Sequence, residues 1–133
     1  MMSRFIKTLD KNVLVCDGAM GTMLYRKGIY INTCFDEVNL SAPELVKEIH
    51  LSYTKAGVDI LSTNTFGANY WHLKNYGLEK RIADINRAAV KIAKDVASKE
   101  LFIAGTIGPL SPYINPPFKE EDFYKGYEIQ VKT

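Results

Sequence analysis

The chain has 133 residues, of which 47% are hydrophobic and 24% charged, a globular composition that excludes a disordered or low-complexity polymer. Its net charge of +2 arises from 17 basic and 15 acidic residues with no basic run, so it carries no electrostatic footprint for nucleic acid or an anionic membrane surface. No apolar stretch approaches the roughly 20 residues of a membrane span, and the N-terminus lacks the apolar core of a secretory signal, so a cytoplasmic protein is expected.

Domains cluster near roughly 100–150 residues, so residues 1–133 are read as one domain. In chain order, "NVLVC" (12–16) is a short apolar run ending in Asp17-Gly18, the pattern of a strand buried on both faces in a parallel sheet. Cys16 is expected to be buried there as a small hydrophobe. It and Cys34 are read as reduced thiols, too few and too far apart for a disulfide framework or a Cys-x-x-Cys metal site. A glycine loop follows. Helix signals then gather in 40–57: Ser41 and Glu44 have capping-box spacing, Pro43 falls in the first turn, Leu40 and Leu45 have staple spacing, and Gly57 supplies a stop. Leu45, Val46, Ile49 and Tyr53 make its apolar stripe.

"VDILSTNTF" (58–66) is the second strand, ending in polar Ser62, Thr63 and Asn64. A loop or short helix (67–77) leads to a long helix over 78–99, in which Ile82, Ile85, Ala89, Ile92 and Val96 recur at three- and four-residue intervals. "LFIAGTIGP" (101–109) is a third strand, 111–118 a proline-punctuated loop, and 119–133 an amphipathic helix with Glu120, Glu121 and Asp122 in its first turn. Tyr124, Tyr127 and Val131 begin a stripe with no stop signal before Thr133, so the chain is expected to be a piece of a longer protein. This βαβ rhythm is that of an α/β protein with a parallel sheet. A doubly wound sheet and a (β/α)8 barrel of about 250 residues both begin this way, and periodicity leaves both open.

In either fold ligands sit at the C-terminal strand ends, which here present Asp17-Gly18-Ala19, Thr63-Asn64-Thr65 and Gly105-Thr106. Asp-Gly by itself is a common turn pair. With Gly18 and Gly21 close by, however, the loop can turn its N–H groups toward an anion beside the Asp17 carboxylate. That combination suits a zwitterion such as an amino acid. "GAMGT" lacks both the GxGxxG spacing and the Gly-Lys-Ser/Thr ending of a phosphate loop. Asn64 could bind a ligand or tie its own loop. His50 and His72 have no Cys, Asp or second His at ligand spacing and are read as structural or surface residues. Tyr70, Trp71 and Tyr76 are read as packing residues.

"LVCDGAMGTMLYRKG", "CFDEVNLSAPELVKEIHLSYTKAGVDILSTNTFGAN" and "IAGTIGP" together resemble the start of the homocysteine S-methyltransferase domain family, in the form found in cobalamin-dependent methionine synthase and in a bifunctional protein with methylenetetrahydrofolate reductase. The resemblance runs from about Phe5 to the end. It implies the N-terminal part of a (β/α)8 barrel, about three βα units, and a parent enzyme that transfers a methyl group to the zinc-bound thiolate of homocysteine to give methionine. It implies that Asp17, Gly18 and Ala19 hold the amino and carboxylate ends of homocysteine, with Asn64 as a further substrate contact on the same rim. Where many relatives have Glu, the second strand has Ser62.

Zinc in the family is held by three cysteines, two of them adjacent near the domain's C-terminus. Cys16 and Cys34 do not match them, so neither a metal ligand nor a catalytic residue is assigned here and the chain alone is expected to be inactive. The methyl donor, methylcobalamin or methyltetrahydrofolate, would be met by residues and domains elsewhere in the parent polypeptide. The alternative is a non-catalytic amino-acid-binding or interaction module of α/β fold. Open sheet edges would allow self-association.

Overall fold

The structure, a computed structural model, describes residues 3–109 and 119–133. Three parallel extended segments lie side by side in chain order. The first is a single bridge pairing Cys16 with Ile60. It is followed by β1 (Ile60–Ser62) and β2 (Phe102–Ala104), in the register Ile60 with Phe102 and Ser62 with Ala104. Before the first segment stands α1 (Arg4–Leu9). Between that segment and β1 come α2 (Met20–Arg26), α3 (Val38–Ser41) and α4 (Pro43–Ala56). Between β1 and β2 come α5 (Tyr70–Lys74), a 3-10 turn at Glu79–Arg81 and α6 (Ile82–Val96), and α7 (Glu120–Lys132) follows β2. This is a mixed α/β chain with a small parallel sheet, as the sequence pattern predicts.

The helices form where their sequences allow one face to be buried. Pro43 opens α4, where a missing N–H costs nothing, and Gly57 stops it at φ +88°. Val46 and Ile49 of α4 then meet Leu24 of α2, Val38 of α3 and Ile92 of α6 in one fully apolar cluster. A second cluster joins Cys34, Ala68, Leu73, Ile82 and Ile85. On α6 the expected Ile82, Ile85, Ala89 and Ile92 are buried, and Val96 is half-buried. On α7 the Asp122 carboxylate accepts from the Lys119 N–H at 3.0 Å, closing the acidic first turn. Arg4 ties α1 to the start of β2 by donating to the Lys99 carbonyl at 2.8 Å and lying 4.1 Å from the centre of the Phe102 ring.

Several expectations are corrected. The 12–16 strand is not buried on both faces: Val13 is 90% and Val15 54% exposed, and Cys16 is exposed. Among the described residues the strand has a sheet neighbour on one edge only, so nothing covers its other side. The Ser41–Glu44 capping box does not form, because Ser41 is the last residue of α3 and Ala42, at φ −143°, precedes α4 with no side-chain cap. Leu40 packs with the Cys34 cluster and Leu45 with the Leu24 cluster, so they make no staple. The long helix starts at Ile82 rather than Leu78, after the 3-10 turn. The expected glycine loop winds into α2 from Met20 onward, and α1 was not foreseen. The 111–118 loop lies outside the described residues.

Ile49 is fully buried at the seam of α4 and α6. Ile49→Ala is expected to cost about 2–5 kcal/mol of folding stability, read from urea unfolding; a loss below about 1 kcal/mol would remove it from the core.

Candidate functional site

A cavity of about 430 Å³ opens at the C-terminal ends of the three parallel segments, within the range of roughly 300–1,000 Å³ typical of small-molecule sites. The end of the first segment contributes Asp17, Gly18 and Ala19, and the end of β1 with the chain after it contributes Ser62, Thr63 and Asn64. Thr106 comes from beyond β2, while Phe35, Asp36, Phe66, Gly67 and His72 close one side. Asp17, Gly18, Ala19 and Asn64 therefore share one rim, as the strand pattern predicts. Of the other strand-end residues, Thr65 and Gly105 do not line the cavity.

The rim is built where the strand ladder stops. The Thr106 N–H finds the Thr63 hydroxyl at 3.0 Å in place of a strand carbonyl. That hydroxyl also meets the Thr65 hydroxyl at 2.7 Å, and Thr65 donates to the Thr106 carbonyl at 2.8 Å. From α7, Gln130 reaches the Thr65 carbonyl at 2.7 Å.

Asp17 donates its backbone N–H to the Ile60 carbonyl at 3.0 Å, and its Oδ2 accepts from the Ser62 N–H at 2.9 Å. Among the described residues its Oδ1 has no hydrogen bond, and the N–H groups of Gly18 and Ala19 have no acceptor. The Tyr53 hydroxyl donates to the Ala19 carbonyl at 3.0 Å and fixes the loop from below. A Cβ at position 18 would come within 2.8 Å of that hydroxyl oxygen, so a larger residue there would push the Tyr53 ring aside.

Asn64 is buried and spends its amide on structure: Nδ2 donates to the Phe35 carbonyl at 2.7 Å and to Asn39 Oδ1 at 3.2 Å, while Asn39 Nδ2 donates to the Asn64 carbonyl at 2.7 Å. Of the two roles left open by the sequence, the tie between loops is the one seen. His50 is fully buried on α4, and among the described residues neither ring nitrogen has a hydrogen-bond partner. Burial pushes its pKa below the usual value and the Asp17 charge opposes this, which keeps His50 a neutral core residue. Trp71 donates to the Asp122 carbonyl at 3.1 Å, so it joins α5 to α7 as packing.

Three side chains that sequence spacing did not connect also meet here. The ligand atoms of Cys34, Asp36 and His72 all lie within 4.8 Å of one another. Asp36 is buried; its Oδ1 accepts from the Gly67 N–H at 2.8 Å, and its Oδ2 faces His72 Nε2 at 3.7 Å. The Asn69 side chain accepts from the His72 N–H at 3.0 Å and starts α5 there. A Cβ at position 67 would clash with the imidazole and lie 2.7 Å from Asp36 Oδ2, so this approach needs glycine. Burial pushes the Asp36 carboxyl up to about 6 and the Cys34 thiol up to about 11, and lowers the pKa of His72. No local periodicity links residues 34, 36 and 72, so only the fold reveals the group.

Comparison with known proteins decides the family. The sequence model of the homocysteine S-methyltransferase family matches residues 14–133. The chain belongs to the homocysteine S-methyltransferase family. Methionine synthases of Mycobacterium tuberculosis (strain ATCC 25618 / H37Rv) and Mycobacterium leprae (strain TN) are each 32% identical to it over 116 residues, covering 78% of this chain and 10% of theirs. The homocysteine methyltransferase MmuM of Escherichia coli, in its metallated form, has the same fold at a TM-score of 0.80 and 24% identity, over 97% of this chain and 51% of that one. Its apo form gives 0.68 and 27%, over 93% and 46%. This member of the family thus spans about a tenth of those curated relatives and half of those solved chains. The three-cysteine zinc set implied by the resemblance does not fit this chain, whose cysteines are Cys16, exposed, and Cys34, buried.

The buried carboxyl of Asp36 predicts a pH signature. Below pH about 4 the group is protonated whether folded or unfolded; as pH rises toward 6 the unfolded chain ionises it freely while the folded chain resists, so this contribution to stability is lost across that window. Asp36→Asn keeps an acceptor for Gly67 and removes the ionisation. With a chelator present, its stability relative to the wild-type chain should rise between pH 4 and 7, by on the order of 1–3 kcal/mol in urea unfolding. A pH-independent difference would refute the buried, reluctantly ionised carboxyl.

Proposed function

We propose that this chain forms the amino-acid-gripping part of a homocysteine S-methyltransferase, with the substrate ammonium on Asp17 and its carboxylate on the N–H groups of Gly18 and Ala19. One observation carries the reading: a carboxylate with an uncommitted oxygen lies next to two N–H groups without acceptors, at the lip of the cavity. A zwitterionic head group satisfies both sets at once, and charge-assisted hydrogen bonds of this kind are short and strong. Tyr53 holds the loop so that its donors are placed before the ligand arrives. Asn64 serves as wall, since both amide hydrogens are engaged and only Oδ1 is left to accept.

In this reading the chain is the first part of a (β/α)8 barrel, about three βα units, and the longer parent carries out methyl transfer to the sulfur of homocysteine, forming methionine. Family membership and the similarity to methionine synthases support it. The metal ligands of the family and the methyl donor, methylcobalamin or methyltetrahydrofolate, belong to parts of the parent outside these 133 residues. The chain's own work is to bind and orient the amino acid.

In the full-length parent, Asp17→Ala should weaken homocysteine binding by about 10- to 100-fold in calorimetry, the worth of one or two hydrogen bonds to a charged group, while zinc content stays unchanged. Unaltered affinity would remove Asp17 from the grip. The 133-residue chain alone, supplied with zinc and a methyl donor, should show no methyl transfer; turnover would place the whole catalytic apparatus within it.

A further inference from the structure

We infer that Cys34, Asp36 and His72 form a metal site within this chain, taking a divalent cation of the zinc class through Cys34 Sγ, Asp36 Oδ2 and His72 Nε2. This set shares no residue with the grip built on Asp17, and it is not the three-cysteine set of the family. The inference stands apart from the substrate proposed above.

The ligand chemistry selects the cation. One thiolate, one imidazole and one carboxylate are the donors that borderline-soft zinc accepts, whereas magnesium and calcium take all-oxygen shells. Metal bonds of about 2.0–2.3 Å put neighbouring ligand atoms of a tetrahedron about 3.3–3.6 Å apart. Asp36 Oδ2 and His72 Nε2 are already 3.7 Å apart. The widest separation in the group, up to 4.8 Å, closes with inward movement of roughly 1 Å.

The surroundings organise the donors. The Gly67 N–H occupies Asp36 Oδ1 and so leaves Oδ2 for a cation, the kind of outer contact that orients a ligating carboxylate. Burial and the neighbouring Asp36 carboxylate hold the Cys34 thiol up at about 11 against the backbone N–H groups of Glu37 and Asp36, so a cation that binds there displaces the thiol proton and its uptake is pH-dependent. Asn69 fixes the first turn of α5 and with it the Cα of His72, and the missing side chain at Gly67 gives the ring its room. Three protein ligands leave one tetrahedral position. Asp36 and His72 line the cavity, so that position takes water or one donor atom of whatever the cavity holds.

The test uses the full 133-residue chain titrated with Zn²⁺ by calorimetry and with Co²⁺ by visible absorption. One ion per chain is expected, with a sulfur-to-cobalt charge-transfer band. Cys34→Ser should abolish that band; Cys34→Ser, Asp36→Asn and His72→Gln should each weaken Zn²⁺ by at least about 10- to 100-fold, since loss of a direct ligand exceeds the usual cost of an outer-shell change. Cys16→Ser should bind as the parent does. Circular dichroism of each variant separates lost ligation from lost folding, and His72→Gln, at a half-buried position, leaves the core intact. Absence of stoichiometric binding, a Co²⁺ complex with no sulfur band, or a band that disappears in Cys16→Ser and survives in Cys34→Ser would overturn the site.

Discussion

Where the parallel strands run out, backbone N–H groups lose their strand partners, and in this chain side-chain oxygens take over. Asp17 accepts from Ser62 at 2.9 Å, Thr63 from Thr106 at 3.0 Å and, beyond β1, Asp36 from Gly67 at 2.8 Å. A buried N–H left without an acceptor costs about 1–3 kcal/mol, so these acids and hydroxyls are required by the sheet before any ligand is considered. The cavity inherits them. Each carboxylate has two oxygens and the sheet uses only one of them, so the residues that terminate the strands also present spare acceptors at the rim.

That double duty explains what could be read from the sequence. The long amphipathic helices α4, α6 and α7 and the three extended segments follow from apolar spacing, which records burial directly. Asp17, Gly18 and Ala19 were legible because a strand end is a local pattern and the loop after it carries its glycines in one stretch. Asn64 was legible as a rim residue with binding and tying both open, and the sequence could not decide for the tie because its partners Phe35 and Asn39 lie 29 and 25 positions away.

The misses have the same origin. Cys16 and Val15 look like core in the sequence, because an apolar run states a preference for burial and does not say whether a neighbour is at hand. Ser41 has the spacing of a helix cap, yet α3 claims it first through the Ser41 N–H to the Glu37 carbonyl at 3.2 Å. Cys34, Asp36 and His72 have no shared period, and only the approach of the α5 start to the segment before α3 joins them. A glycine such as Gly67, placed where strand passes to helix, was the one available sign that another backbone or ring comes close.

Gln130 gives the rim an unexpected dependence. Its amide spans from α7 to the Thr65 carbonyl, 65 positions earlier in the chain, at 2.7 Å. A shift of α7 by about 1 Å would stretch that bond beyond hydrogen-bond range. The seating of the last helix and the orientation of a peptide group beside the cavity are therefore one mechanical coordinate. A contact that pulls or presses on α7 is passed to the strand ends through this bond, which adds to the Thr63, Thr65 and Thr106 bonds that hold the rim from within.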